Sequence, residues 1–357
     1  MIHRCLPLGL LLVPMLALAG GWAVDVTSSR HADALPLNRL DADDVAAEFR
    51  PRGGRNVAYA RDELRVSRTG GRHTWSLLAR QNATLVGTHD AFDLARTVES
   101  EGTPEASHQW NVHAKYLGFA GAGAAWRGTF DVAGGWSAHA GLQGLVLSQW
   151  REYQLDGPAA YDAALQRWQF DLRYRRTDSR LEYPFQQAYD GRGQALLTEG
   201  GLRWSGADAA VAVSWRDAGW LRWRGLPQQD AVLSTDTQAV DADGFVIYKP
   251  LVQGRFSQAT RRRTVTGIVN VVASWASSPA TLWSAGADRV PGFGFLPQVK
   301  VQHRLGAATW TARYDLHERR VGVGWGWHGW QLAYGVDRLD GDARSREFRL
   351  GYSWPGD

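Results

Sequence analysis

The chain has 357 residues, with 40 lysines and arginines against 36 acidic residues and a formal net charge of +4. That balance, with no basic run interleaved with aromatics, removes the electrostatic footprint of a nucleic-acid binder, so no nucleic acid is expected among its partners. A single cysteine, Cys5, excludes a disulfide framework, a cysteine-ligated zinc and a CxxCH haem attachment, and no cofactor or metal is expected.

The N-terminus reads as a secretory signal over residues 1–23. Arg4 supplies a basic start, Leu6 to Leu18 an apolar run broken by prolines and Gly9, and Ala17, Ala19, Gly21 and Ala23 the small residues of a cleavage region. Cleavage after Ala19 or after Ala23 fits equally well. The run is too short and too interrupted for a spanning helix. Cys5 precedes it, is not placed for acylation, and would leave with the signal. Residues 24–43 are expected to be a periplasmic N-terminal segment.

The sequence is rich in Trp (18) and Gly (40) and 44% hydrophobic in composition, yet its mean hydropathy is −0.34. Beyond the signal no segment approaches the roughly 20 apolar residues of a membrane helix. A membrane protein this polar must spread its apolar residues over alternate positions, as the strands of a barrel do.

In chain order, strand candidates lie near 44–50, 57–67 and 73–86, and Asp90 to Glu99 can form a short loop helix. Further candidates are 109–120, 124–134 and 136–150. Trp168, Phe170, Leu172 and Tyr174 alternate with Arg167, Gln169, Asp171, Arg173 and Arg175, and a weaker candidate covers 196–205. Ala209, Val211, Val213 and Trp215 alternate with Ala210, Ala212, Ser214 and Arg216, followed by candidates at 264–275, 281–290 and 297–305. Trp310 to Leu316, Val321 to Trp327 and Trp330 to Val336 repeat the pattern, with short turns at Gly306 and Trp327-His328-Gly329. Phe348, Leu350, Tyr352 and Trp354 close it against Glu347, Arg349, Gly351 and Ser353.

These segments predict an all-β chain: one transmembrane antiparallel barrel of about 16 strands (14–18) over 44–354, preceded by the signal. If the last strand ends in the periplasm, the long connections 87–108, 178–195 and 224–263 all fall outside. Phe245 to Tyr248 is strand-like inside the third of these, and 151–165 is long for a periplasmic turn. A soluble sandwich or propeller would also alternate. Aromatics at the strand ends, as at a bilayer interface, favour the barrel.

The ending Phe348-Arg349-Leu350-Gly351-Tyr352-Ser353-Trp354 resembles the terminal strand by which Gram-negative outer-membrane proteins are recognised by the barrel-assembly machinery, although Pro355-Gly356-Asp357 follow the aromatic. The resemblance implies location in the bacterial outer membrane, with outer-membrane lipid and lipopolysaccharide as neighbours and the assembly machinery as a partner in biogenesis.

Strand parity turns Arg80, Lys115, Arg127, Arg167, Arg173, Arg175, Arg203, Arg216 and Arg313 toward the lumen, where fixed positive charge would favour anions. A channel for polar, anionic solutes or an acidic polysaccharide is expected, as in porin-like or exporter-like barrels. Lumenal acids, among them Asp131, Asp171, Glu199, Asp315, Asp337 and Glu347, would make ion-pair networks instead. In the segment 224–263, Asp241, Asp243, Lys249 and Arg255 are candidates for a constriction loop, and Asp241 to Gly244 matches a calcium loop only weakly. His113 and His139 face the lumen, but no GxSxG, HExxH or spaced Ser–His pair is present, and no catalytic residue is assigned. An outer-membrane enzyme acting on lipid or lipopolysaccharide, or a non-transporting structural or adhesive barrel, are the alternatives.

Overall fold

The structure, a computed structural model, describes residues 21–40, 44–100, 103–182, 189–240, 246–248 and 250–354. Its first strand is β1 (Gly21–Ala32), followed by β2 (Arg55–Gly70), β3 (His73–Thr88), α1 (His89–Glu99), β4 (His108–Val132) and β5 (Trp136–Asp162). Next come β6 (Arg167–Asp178), β7 (Gly193–Ser205), β8 (Ala209–Ser234), β9 (Gln238–Val240), β10 (Val246–Tyr248), β11 (Val252–Val265) and β12 (Ile268–Ser278). The chain ends through β13 (Thr281–Val290), β14 (Gly294–Leu305), β15 (Ala308–Asp315), β16 (Arg320–Trp327), β17 (Trp330–Val336) and β18 (Ser345–Trp354).

Every wall strand is antiparallel to its neighbours, and β1 pairs with β18 from Trp22↔Trp354 to His31↔Ser345, so the sheet closes. β6 and β7 descend one after the other between β5 and β8, and β11 and β12 do the same on the other edge of β8. Each pair fills one wall position, giving a barrel of 14 strands with the β9–β10 hairpin outside it. Closure leaves no exposed edge, as a bilayer requires.

The sequence-based outline needs five corrections. Gly21, Trp22 and Ala23, assigned above to the signal, and residues 24–32 of the supposed periplasmic segment 24–43 belong to wall strand β1. A cut after Ala19 would leave that strand whole. Residues 44–50 are not a strand, since Val45–Glu48 form a 3-10 turn. The candidates 109–120 and 124–134 are one strand, β4, paired without a break to β3, while a bulge at Ser148 of β5 shifts its register against β5 between Ala120 and Gly121. Of the supposed loop 224–263, both flanks are wall, with Gln228–Ser234 paired to β6 and Val252–Val265 to β8. Likewise 151–162 is the upper half of β5, and 178–195 is an interruption within one wall position. The helix over 90–99 is found as α1, with the Thr88 hydroxyl accepting from the Ala91 N–H as its N-cap.

Connections at the end shared by Trp22 and Trp354 are short: 71–72, 133–135, 206–208, 279–280, 306–307 and 328–329. That identifies the periplasmic end. At 328–329 both residues have positive φ (45° and 87°), the geometry of a two-residue hairpin turn, and a Cβ on Gly329 would lie 2.3 Å from the Ser353 carbonyl oxygen. Outward-facing Trp22, Trp75, Trp136, Trp204, Trp283, Trp310, Trp330 and Trp354 ring this end. Above them Leu77, Val146, Val213, Val299, Val323 and Leu332 are exposed, each between 44% and 61% of its full surface. An apolar outer band beside a tryptophan girdle makes the chain a β-barrel of the outer-membrane type. Val323→Arg, set well above the girdle on the outer face of β16, is therefore expected to cost about 2–4 kcal/mol of stability in lipid vesicles, the range for a cation near the bilayer midplane. Urea unfolding of vesicle-inserted protein checks this, and an unchanged midpoint would contradict it.

The barrel is lopsided. β4, β5 and β8 have 25, 27 and 26 residues, whereas β15, β16 and β17 have 8, 8 and 7. One half of the wall thus rises well beyond the bilayer on the extracellular side.

Candidate functional site

The inner face carries two different surfaces. On the tall half, Leu78, Phe119, Leu145, Leu147, Trp150, Leu197, Leu221 and Trp223 point inward by register and form one buried apolar cluster. Tyr189, from the interruption between β6 and β7, packs against it, and the Asp190 carbonyl accepts from the Trp223 indole N–H at 2.7 Å. That half of the lumen is filled as a protein core is filled.

The remaining lumen is crossed by ion pairs. Arg80 on β3 donates two parallel hydrogen bonds to Asp217 on β8, at 2.6 and 2.9 Å, and a third to Gln143 on β5 at 3.0 Å. Both charged side chains are nearly buried, at 9% and 6% exposure. Gln143 in turn donates to Glu199 at 3.2 Å. Asp217 reaches this position because β8 bulges there, with φ +62° at Asp217, a conformation aspartate tolerates better than most residues. Nearby, Arg216 pairs with Asp288 at 3.5 Å. On the short half, Arg320 bonds Asp315 at 2.7 Å and Glu347 at 2.8 Å, and Arg313 also contacts both acids.

Arg61 on β2 stands apart in this layer. Its guanidinium lies 4.4 Å from the Tyr59 ring centroid, and its Nε and one terminal nitrogen are buried with no hydrogen-bond partner. Buried donors without acceptors are rare in native structures and call for an explanation.

Cavities lie along the inner face. A vestibule of about 580 Å³ sits against the tall wall, lined by Asp156, Arg173, Arg175, Asp230 and Arg255 among others. An inner chamber of about 520 Å³ mixes cations (Arg55, Lys115, Arg263) with apolar groups (Leu117, Phe119, Val265, Ile268, Val290) and has Asp217 in its lining. Gln154 borders both. At the periplasmic end a third cavity of about 650 Å³ is lined by Lys300, Thr309, Thr311, Arg313, Glu347 and Arg349, with Gly322, Gly324 and Gly326 widening it.

All nine arginines and lysines named from sequence lie on the inward face. Four are ion-paired: Arg80 to Asp217, Arg175 to Asp230 at 2.7 Å, Arg216 to Asp288, and Arg313 to Glu347. Arg167 and Arg173 belong to the extracellular wall, Lys115 to the inner chamber, and Arg127 and Arg203 to the periplasmic end. The structure brings Arg80 and Arg216 to the crossing layer and spreads the others along the axis. Of the proposed constriction residues, Asp241, Asp243 and Lys249 lie outside the described residues. Arg255 is a wall residue of β11 rather than a loop residue, 79% exposed and 3.9 Å from Asp230.

A second polar cluster ties the extracellular rim together. Asp33, just beyond β1, accepts from His31 Nε2 at 3.0 Å and from the Val57 N–H at 2.8 Å, and meets His317 Nε2 at 3.0 Å and Arg52 at 2.9 Å. This clamps the 316–319 turn to the opposite end of the sequence. Burial alone would raise the Asp33 pKa, but hydrogen bonds from His31, His317 and Val57 outweigh it and hold the carboxyl well below the usual carboxylate range. A carboxyl depressed in the folded state contributes stability that is complete above its unfolded pKa of about 3.9 and is lost as pH falls toward the folded value. Asp33→Asn is thus expected to flatten the acid limb of unfolding below about pH 4. Equal acid sensitivity in both proteins would contradict it. The two imidazoles and the carboxylate could in principle hold a metal, but the Arg52 guanidinium 3.3 Å from His317 Nε2 already supplies the positive charge there.

Sequence reasoning missed Arg61, Asp217, Asp288, His31 and Asp33. Parity alone places Arg61 on the β2 face shared with Glu63, and Trp22, Val24 and Val26 alternating with Asp25 and Thr27 would have marked β1. The β8 bulge at Asp217 has no such signal.

No family model and no curated protein matches the chain. Among solved structures, it is similar to a mutant of the monoaromatic hydrocarbon channel TodX (TM-score 0.44, 9% identity, 94% of this chain and 90% of that one). It is also similar to a FadL homologue of Pseudomonas aeruginosa (TM-score 0.39, 11% identity, 94% and 90%) and to the toluene transporter TbuX of Ralstonia pickettii (TM-score 0.36, 7% identity, 96% and 90%).

Proposed function

We propose that the chain is an outer-membrane channel for small organic anions, held closed in this conformation by the Arg80–Asp217 clamp and the apolar cluster beside it. The observation that carries this reading is Arg61: a cation in the lumenal crossing layer with buried donors and no acceptor. An anion passing the layer would supply that acceptor, and a charge-assisted hydrogen bond would offset its lost hydration. Lys115 and Arg55 above and Lys300 below extend the positive surplus along the axis. The inner chamber offers apolar surface beside its cations, which suits a carboxylate with a hydrocarbon part better than an inorganic ion. Its 520 Å³ and the filled half of the lumen fit a small solute rather than a polysaccharide chain. Among the described residues no serine hydroxyl is hydrogen-bonded to a histidine, and the enzymatic alternative has no specific support.

Arg61→Glu tests the role of the unpartnered cation. In vesicles loaded through the protein, uptake of benzoate-like anions is expected to fall at least tenfold relative to a neutral solute of the same size. Equal loss for both solutes, or no loss, would sink the proposal.

A further inference from the structure

Arginines also crowd one patch of the outer face, where a barrel normally meets lipid. Beyond the bulge in β5 its odd residues point outward, and Arg151, Tyr153, Arg176 and Asp178 meet there on β5 and β6. Arg151 Nε lies 3.0 Å from the Tyr153 hydroxyl and 3.4 Å from Asp178. Arg176 lies 3.1 Å from the same carboxylate. Both guanidinium groups sit over the Tyr153 ring, at 5.5 and 5.2 Å. Arg180 is exposed, donates to Gln149 at 3.2 Å, and has its backbone N–H on Asp178. Two guanidinium groups thus share one acid, which is itself 1% exposed, with the Arg180 cation beside them on Gln149, while Arg151 and Arg176 keep about a third of their surface free.

The height of the patch gives it meaning. From Trp136 in the periplasmic girdle to Arg151 the strand climbs roughly 35–40 Å along the membrane normal, taking about 3.3 Å per residue and the usual tilt. An outer-membrane apolar band is about 25 Å tall, so Arg151 stands at the level of the outer-leaflet head groups. Beneath it, the outward positions Ala120, Ala122 and Ala124 of β4 form a smooth strip with no side chain beyond a methyl, flanked on β5 by Gly144 and the exposed Val146. Acyl chains can lie flat against such a strip.

Resting on the outer-membrane reading above, we propose that Arg151, Arg176 and Arg180 form a binding site for the phosphate groups of lipopolysaccharide, with its acyl chains descending along the Ala120–Ala124 strip. Guanidinium groups bind phosphate by paired, charge-assisted hydrogen bonds, and Tyr153 orients two of them through their shared contact with Asp178. The outer leaflet is where a doubly phosphorylated lipid would be met, and the surplus of two positive charges matches one such head group.

The test uses the full-length protein in detergent with fluorescent lipid A, its phosphate-free form and phosphatidylglycerol as probes. Arg151→Gln with Arg180→Gln should weaken lipid A binding at least tenfold, phosphate removal should weaken the wild type by a similar factor, and the two losses should not add. Arg151→Lys with Arg180→Lys should restore part of the affinity. Because Arg151 has partners in the wall, Arg180→Gln alone is measured too, and a several-fold loss is expected from that exposed residue. Unchanged binding in these variants, an equal loss with phosphate-free lipid, or an equal loss from Arg167→Gln on the inward face would overturn the site. Binding of phosphatidylglycerol as tight as lipid A would make it a general anionic-lipid contact and would also overturn the proposal. Failure of the wild type to insert into vesicles would instead refute the membrane barrel itself, so the two failures are distinguishable.

Discussion

Asp217→Asn is expected to lower stability by about 3–5 kcal/mol, the cost of leaving one partner of a buried ion pair uncompensated. Asparagine is the informative replacement because it keeps the shape of the side chain and tolerates the positive φ at this bulge, so that loss of charge is tested with little added strain. Arg80, 9% exposed and bound to Asp217 through two nitrogens, would keep only Gln143 and the more distant Glu63, 3.6 Å away. Removing both charges, with Arg80→Ala and Asp217→Asn together, should recover much of that loss, because the unpaired charge disappears with its partner. Denaturant unfolding of the single and double variants gives the coupling directly. Additive losses would mean that the two side chains do not act as a clamp.

Trp223→Ala carries the second large effect. The side chain is 1% exposed, packs within the inward apolar cluster and ties down the Asp190 carbonyl. Truncating a buried tryptophan costs about 3–5 kcal/mol through lost transfer energy and the cavity left behind. The space opened here lies in the lumen rather than in a sealed core, so the same variant is expected to raise leak conductance while it lowers the unfolding midpoint. A large destabilisation with unchanged conductance would show that the cluster is structural packing without a role in closing the lumen.

Most of the barrel was legible because the period of two survives wherever one face meets lipid and the other does not. Val321, Val323, Trp325 and Trp327, or Trp330 to Val336, show it cleanly. The inward orientation of all nine named cations followed from the same rule. Legibility failed where a second physical effect interrupts the period. In β5 a bulge at Ser148 shifts the alternation by one, and in β4 the small residues of Ala120 to Ala125 leave both faces without a hydrophobic contrast, so that a 25-residue strand resembled two shorter ones. Above the bilayer both faces of the tall wall are partly polar or covered by other parts of the chain, as Trp110 and Val112 are by Ala91 and Leu94 of α1, and 224–263 therefore looked like a loop. β1 was hidden for a different reason: its first residues continue the small-residue pattern of the signal.

The site was harder to see than the wall. Alternation gives the direction of Arg80 and Arg216 but not their partners, because Asp217 reaches Arg80 through a bulge and lies 137 residues away in sequence. A lumen half filled with Leu, Phe and Trp was equally hidden. Leu145, Leu147 and Leu197 are apolar on the inward face, the reverse of the polar-in pattern from which an arginine-lined lumen is expected.

The most direct measurement is the planar-bilayer conductance of the Arg80→Ala, Asp217→Asn double variant beside the wild type, under a potassium chloride gradient. The account predicts rare or small openings for the wild type, a several-fold larger conductance for the variant, and a reversal potential of the sign set by chloride. No gain in conductance on removal of the clamp, or a reversal potential set by potassium, would contradict it.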